Sequence, residues 1–172
     1  MARNLEFKVR YDTLDNLLPK LKELKAEFKA LIHQEDTYFH NPKGRLKLRE
    51  TPDTDDGWLI YYERPNKEES RYSIYQLYQF PQPEQLKSLL AVSLGIKTIV
   101  KKERSYWLYN NTRIHLDRVE GLGEFVELET VFQGQSDTEA QQEHQHVKSS
   151  LALNLADPIA VSYSELPREI TE

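Results

Sequence analysis

The sequence predicts an α+β fold in which two similar antiparallel units, each of four strands, carry helices on their outer faces. Three observations lead there. Several segments alternate charged and apolar residues with period two, the spacing that puts each set on one face of a strand. In NLEFKVR the polar residues Asn4, Glu6, Lys8 and Arg10 alternate with Leu5, Phe7 and Val9. RLKLR, RIHLD and EFVELE repeat the pattern with Arg45, Lys47 and Arg49, then Arg113, His115 and Asp117, then Glu127 and Glu129. Second, one order of elements (strand, helix, three strands) occurs twice. Third, the amphipathic helices between the strands need an apolar sheet face to cover.

Arg3–Arg10 is the first strand. A helix is expected from about Leu14 to Ala30, where Leu17, Leu18, Leu21, Leu24 and Phe28 recur at three- and four-residue spacings. Asp12 or Thr13 can cap it, and Pro19 falls in its first turns, where proline is tolerated. Strands at about Leu31–His40, Arg45–Glu50 and Trp58–Arg64 follow, divided by turn signals at Asn41–Gly44 and Pro52–Gly57. The plan then restarts with a strand at Arg71–Phe80, a helix at Pro83–Leu94 ended by Gly95, and strands at Thr98–Tyr109, Thr112–Val119 and Gly123–Phe132. A last helix is expected at Thr138–Asn154 and a closing segment at Ser162–Leu166.

The halves overlay without a gap around QEDTYFHNPKGRLKLRE and KKERSYWLYNNTRIHLDR, as an internal duplication would. Asp36 falls on Arg104, Tyr38 on Tyr106, Arg45 on Arg113, Leu48 on Leu116 and Arg49 on Asp117. No linker separates the halves, so one domain is expected over 1–172. Alternation fixes which residues share a face, not where that face points. An ordinary sandwich with charged faces outward and a wet tunnel with charged faces inward both satisfy it. A dry charged interior is excluded by its desolvation cost. The helices favour the tunnel, since they would cover the outward apolar faces.

Composition narrows the function. At net charge −5 and pI near 5.6, the chain lacks the basic surface of a general nucleic-acid binder. An anion site must then be a local concentration of Lys and Arg, which suits a small, highly charged ligand in a recess. There is no cysteine, which excludes thiolate chemistry and disulfides. No apolar run approaches the ~20 residues needed to span a bilayer, and the N-terminus has no signal-like apolar region. A cytoplasmic protein is expected.

NLEFK, KKERSYW, RIHLDRVEGLGEFVELE and the terminal SYSEL together resemble the CYTH family of class IV adenylyl cyclases, thiamine triphosphatases and inorganic triphosphatases. The similarity is greatest to its class IV adenylyl cyclase-like (CyaB-like) subgroup. The resemblance implies an eight-stranded antiparallel β tunnel, the triphosphate tunnel fold, with helices outside. It implies a triphosphate bound in that tunnel with Mg²⁺ or Mn²⁺. By position, Glu6 and Lys8 fill the second acidic and the lysine places of the family's ExExK signature, with Asn4 standing in the first acidic place. Glu6, Asp117, Glu127 and Glu129 are the implied metal ligands, and with Lys8 the implied catalytic set. Lys8, Lys47, Arg49, Lys102, Arg104 and Arg113 are the implied substrate cations. Glu63 of YYERP stands where many members carry lysine, and no C-terminal phosphate-binding lysine is evident.

Other candidates read as structural. His144 and His146, two apart on a helix, point to different faces, and a solvated helix surface suits them. His115 shares the charged face as a structural donor or a proton-transfer group. Tyr72, Tyr75 and Tyr78 read as packing residues. The expected activity is hydrolysis of an inorganic, thiamine or nucleoside triphosphate, because water is always at hand and no purine pocket is evident. Cyclisation of ATP to cyclic AMP and pyrophosphate is the alternative. A non-catalytic phospho-ligand sensor, motivated by Asn4 and Glu63, is the second. The expected partner is the small-molecule triphosphate, with no nucleic acid or membrane, and a homodimer left open.

Overall fold

Strands β1 (Ala2–Arg10), β2 (Glu27–Phe39), β3 (Arg45–Glu50), β4 (Asp56–Glu63), β5 (Arg71–Pro81), β6 (Ile96–Tyr109), β7 (Thr112–Val119), β8 (Gly123–Val131) and the short β9 (Asp157–Pro158) form one antiparallel sheet. The computed structural model describes residues 2–52, 54–153 and 156–168. The sheet order is β5-β4-β3-β2-β6-β7-β8-β1-β9, and a β1–β5 pairing (Ala2↔Tyr75 to Glu6↔Arg71) closes eight of the strands into a ring. Exchanging the halves (β1 with β5, β2 with β6, β3 with β7, β4 with β8) leaves this order unchanged, as a duplicated unit requires. The pseudo-twofold axis passes the Gln34↔Lys102 pair, two residues that the overlay also makes equivalent.

The apolar faces point out and are covered. Phe7 and Val9 of β1, Ile114 and Leu116 of β7, and Val126 and Leu128 of β8 form a core with Leu21, Leu24 and Val147. These last three come from α1 (Leu18–Leu24) and α3 (Asp137–Ser150). Phe39, Leu48 and Phe80 form a second core, against which Leu86 and Leu90 of α2 (Pro83–Leu94) pack. Fully burying each such side chain contributes about 1.5–3 kcal/mol. The charged faces therefore line the lumen, the tunnel arrangement.

Two helix boundaries differ from the sequence expectation. The first helix does not reach Ala30: a 3-10 turn at Leu14–Leu17 runs into α1, which stops at Lys25 in the left-handed region (φ 62°). From Glu27 the chain is already β2, paired with β6 as far as Glu27↔Leu108. Phe28 fitted a helical stripe, yet it sits half exposed, with its ring 5.3 Å from Trp107 in an edge-on contact. Pairing satisfies the backbone of 27–30 along a full partner strand, which one more apolar contact in a longer helix does not outweigh. Thr13 stands at the N-cap without a side-chain bond; Glu124 of β8 instead accepts the Leu14 N–H at 2.8 Å. The last helix is α3, begun by a reciprocal Ser136/Glu139 capping box and ending at Ser150. The expected boundary at Asn154 lies outside the described residues.

His144 corrects another expectation. It is buried, not solvated, with Nδ1 2.9 Å from Thr130 Oγ1 and Nε2 3.0 Å from Ser70 Oγ, while His146 on the other helix face is exposed. Burial, with a smaller push from Lys148, lowers its imidazole to about 4. An unfolded chain takes up that proton near the ordinary value of about 6.5. The folded pKa is depressed, so the stability His144 contributes is complete above pH 6.5 and falls away between 6.5 and 4. His144→Gln should therefore flatten the acid limb of urea-denaturation stability by about 2–3 kcal/mol between pH 7 and 4. Equal acid sensitivity in both proteins would place the titration elsewhere.

Candidate functional site

The lumen holds a cavity of about 470 Å³ lined by side chains from all eight ring strands. One end is sealed by the chain after α3. β9 pairs with β1 at Val9 and Arg10, the Ile159 N–H donates to the Lys8 carbonyl at 2.8 Å, and Ser162 and Tyr163 join the cavity wall. Tyr163, in a 3-10 turn (Tyr163–Glu165), lies edge-on to Phe125 and has the Lys8 ammonium 3.8 Å from its ring centroid.

Two arginine–aspartate pairs organise the cationic wall. Arg49 of β3 grips Asp36 of β2 through Nε (2.7 Å) and Nη2 (2.8 Å). Arg104 of β6 grips Asp117 of β7 in the same bidentate manner, both contacts at 2.7 Å. The two pairs are equivalent in the overlay, with the charges exchanged between strands. Each aspartate is fully buried behind its arginine. Asp36 also accepts from Lys47 at 2.8 Å and Lys102 at 3.2 Å, so three cations converge on one carboxylate. Burial alone would raise the Asp36 pKa, but Arg49, Lys102 and Lys47 hold it well below the usual range. Burial, then Arg104, Arg49 and Lys47, pull Lys102 well below the ordinary lysine value against Asp36.

The anionic wall is on β1 and β8, where Glu6 faces Glu129 and Lys8 faces Glu127 in register. β8 and β3 are four places apart in the ring of eight, so Glu127 and Glu129 lie across the lumen from Lys47 and Arg49. Ligand atoms of His115, Glu127 and Glu129 all come within 4.8 Å of one another. Burial and Glu129 push Glu6 up to about 7 despite Arg64, whose Nη1 donates to it at 2.9 Å. Glu127 is held low, against its burial, by Lys8 (3.6 Å) and Arg104 (3.0 Å). Burial brings Lys8 itself down to about 8. Asn4 Oδ1 and His115 Nδ1 are buried with no hydrogen-bond partner among the described residues. Oxygen-rich, mutually repelling and partly unpartnered, this donor set fits a hard divalent cation.

The expected site residues Glu6, Lys8, Lys47, Arg49, Lys102, Arg104, Arg113, Glu127 and Glu129 all line the cavity. Arg113 is the most open of them, 3.8 Å from Glu129. Asp117 is set back: Arg104 holds both its oxygens, and Tyr163 donates to Oδ2 at 2.8 Å. Burial raises its pKa but Arg104 outweighs that, bringing it to about 2.

Several residues escaped sequence reasoning. Asp36 appeared only as a repeat position, and its role becomes visible once Asp36↔Arg49 and Arg104↔Asp117 are read as cross-strand partners. On β4 the inward side chains are Trp58, Ile60 and Tyr62, too apolar to show a charged face, and Arg64 just past the strand continues them. Glu63 points outward to Tyr61 (2.5 Å) and Lys43 (3.3 Å). The side chain that faces the lumen here is Arg64, and Glu63 lies outside it. Tyr75 lines the cavity, as do Trp58, Ile60, Ile32, Leu77 and Tyr106. They come from the starts of β2 and β4 and the far ends of β5 and β6, the end opposite the seal. Toward its mouth the cavity thus gathers apolar and aromatic side chains beside Arg49, Arg113 and Glu129, a feature the sequence did not reveal.

A family model described as the CYTH domain matches residues 2–163. The PH1012 protein from Pyrococcus horikoshii OT3 is 27% identical, with 95% of this chain and 98% of that one covered and a TM-score of 0.80. A putative adenylate cyclase from Vibrio parahaemolyticus shares the fold at 20% identity, 96% and 98% coverage and a TM-score of 0.71. So does HpAC1 from Hippeastrum, described as a putative adenylyl cyclase with a dominant triphosphatase activity, at 13% identity, 93% and 92% coverage and a TM-score of 0.62. No curated protein matches the chain significantly.

Removing the charge of Asp36 leaves its cations buried without an anion. Asp36→Asn should cost about 3–5 kcal/mol in chemical denaturation, the scale for breaking a buried ion pair from one side. Glu63→Lys, on the outer surface, should shift stability by less than about 0.5 kcal/mol and leave ligand affinity unchanged. A large affinity gain from Glu63→Lys would show that this position faces the lumen.

Proposed function

The chain belongs to the CYTH family, and from that premise we propose that it is a metal-dependent phosphohydrolase that removes the terminal phosphate of an organic triphosphate. The observation that carries this reading is the opposition, within one cavity, of Lys and Arg on β3 and β6 to carboxylates on β1 and β8. A triphosphate carries about four negative charges and needs cations from several sides. Arg49 and Arg104 are suited to grip it, because each guanidinium is fixed by its aspartate through Nε and Nη2 while Nη1 stays unengaged. Asp117 acts through Arg104, holding its plane. Lys47, Lys102, Lys8, Arg64 and Arg113 complete the electrostatic cradle.

Glu6, Glu127 and Glu129 would hold Mg²⁺ or Mn²⁺, with Asn4 Oδ1 and His115 Nδ1 as neutral donors beside them. The bound ion supplies charge stabilisation to the transferring phosphoryl group. Trp58, Ile32, Leu77 and Tyr106 at the mouth support an organic substituent there, with the phosphates running inward toward Lys8 and Arg64. That direction puts the terminal phosphate deepest, against the sealed end, and favours attack on it by water. The aromatic mouth equally gives a purine somewhere to sit. Cyclisation of ATP is therefore the second reading, and the products separate the two.

Incubation with ATP, thiamine triphosphate and tripolyphosphate in Mg²⁺ or Mn²⁺ should release orthophosphate, faster from an organic triphosphate than from tripolyphosphate. Cyclic AMP as the main product would make the protein a cyclase, and tight binding without turnover would make it a sensor. Glu129→Gln should abolish turnover and the thermal shift produced by Mn²⁺ alone. Arg49→Ala should keep that shift and lose about 2–4 kcal/mol of transition-state stabilisation, read from kcat/KM. Retention of both metal response and turnover by Glu129→Gln would remove β8 from the metal site.

A further inference from the structure

In the closing segment 162–166, Tyr163 is 3% exposed and touches both walls of the lumen. Its hydroxyl donates to Asp117 Oδ2 at 2.8 Å, behind Arg104 on the cationic side. Its ring lies edge-on to Phe125, with the centroids 4.9 Å apart. A reciprocal Ser162/Glu165 capping box holds the turn that carries it. Backbone, ring edge and hydroxyl are all fixed, which leaves the ring face for a cation. The Lys8 ammonium stands 3.8 Å from the ring centroid and that of Lys102 5.4 Å. Both fall within the roughly 6 Å reach of cation–π attraction.

The two lysines differ in what else restrains them. Lys102 donates to Asp36 at 3.2 Å, as Lys47 does at 2.8 Å. Lys8 has no such bond to a carboxylate among the described residues. Its ammonium stands 3.6 Å from Glu127 Oε1, against about 2.7–2.9 Å for a charge-assisted bond. A buried ammonium on a flexible four-carbon stem is driven to close such a gap, because contact offsets the desolvation of both charges. The Tyr163 ring face is the competing attraction.

We propose that Tyr163 is a positioning residue that holds Lys8 off Glu127, keeping the ammonium free for the deepest phosphate and the carboxylate free for the metal. The proposal rests on the triphosphate site described above. Without the ring, Lys8 and Glu127 would neutralise each other, and one contact would remove a phosphate donor and a metal ligand together. The hydroxyl sets where the ring sits. Burial, then Asp117 and Glu127, push it well above the ordinary tyrosine value, so it stays protonated and keeps donating to Asp117. Asp117 is itself fixed by Arg104. The ring is thus placed from the cationic wall and acts on the anionic one.

Two binding measurements test this without turnover: Mn²⁺ alone, read from the paramagnetic resonance signal of the free ion, and tripolyphosphate without metal, read by calorimetry. Absence of turnover would fault the proposed reaction and leave both readings intact. Tyr163→Leu should weaken each probe at least about fivefold, although residue 163 is a ligand to neither. Tyr163→Phe keeps the ring face and should stay within about twofold of the unmodified protein. In Lys8→Met there is no ammonium to restrain, so adding Tyr163→Leu should leave Mn²⁺ affinity unchanged. Equal loss of Mn²⁺ affinity in both backgrounds overturns the proposal, as does a Tyr163→Phe variant as weak as Tyr163→Leu. If Tyr163→Leu fails to fold, fluorinated analogues of the Tyr163→Phe variant keep the shape while removing the negative ring face. Mn²⁺ affinity should then fall with each added fluorine, and an affinity independent of fluorination overturns the proposal.

Discussion

A lumen lined with ionised side chains can exist only if each buried charge has a partner before any ligand arrives, and the two bidentate arginine–aspartate pairs meet that condition. Desolvating an unpaired guanidinium or carboxylate costs several kcal/mol, a large part of a domain's net stability. Asp36 and Asp117 lie fully buried, and each takes both of its oxygens to an arginine at 2.7–2.8 Å. The same contacts fix the guanidinium planes without occupying Nη1. Folding requirement and ligand readiness are thus met by one set of bonds.

The rest of the architecture follows from turning the charged faces inward. A closed antiparallel ring satisfies strand backbone on both sides, and the helices then serve only to cover the outer apolar faces. Ser162 and Tyr163 wall off one end, where Lys8 lies over the Tyr163 ring. The other end carries aromatic and apolar side chains together with Arg113 and Glu129.

Much of this was legible because period two is a strict code: Glu6 and Lys8, Lys47 and Arg49, and Glu127 and Glu129 had to share faces. The code fails where inward residues are apolar. Trp58, Ile60 and Tyr62 give no charged stripe to continue into Arg64, so the pattern leaves open whether Glu63 or Arg64 faces the lumen. It also fails where two periods agree locally, as at Phe28, which satisfies both a helical stripe and an exposed strand position. Burial of His144 depends on Thr130 and Ser70, remote in sequence, and no local pattern encodes it. The repeat also encodes the charged pairs. Asp36 over Arg104 and Arg49 over Asp117 mark two equivalent ion pairs, Arg49–Asp36 and Arg104–Asp117, with the charges exchanged between strands.

The charge balance of the lumen ties these features to the proposed ligand. Seven cations line the cavity (Lys8, Lys47, Arg49, Arg64, Lys102, Arg104 and Arg113) with three carboxylates, Glu6, Glu127 and Glu129. Asp36 and Asp117 behind them bring the carboxylates to five and leave a formal excess of two positive charges. One divalent cation raises the excess to four, which offsets the about four negative charges of a triphosphate. Without ligand the pairing leaves like charges crowded, Lys102 beside Arg104, Arg49 and Lys47, and Glu6 beside Glu129. Lys102 is pushed toward neutrality on one side, and Glu6 is raised to about 7 on the other. A metal beside Glu6 and a phosphate chain beside Lys102 would relieve both at once. Each therefore favours the other's binding through the shared field, with no movement of the ring required.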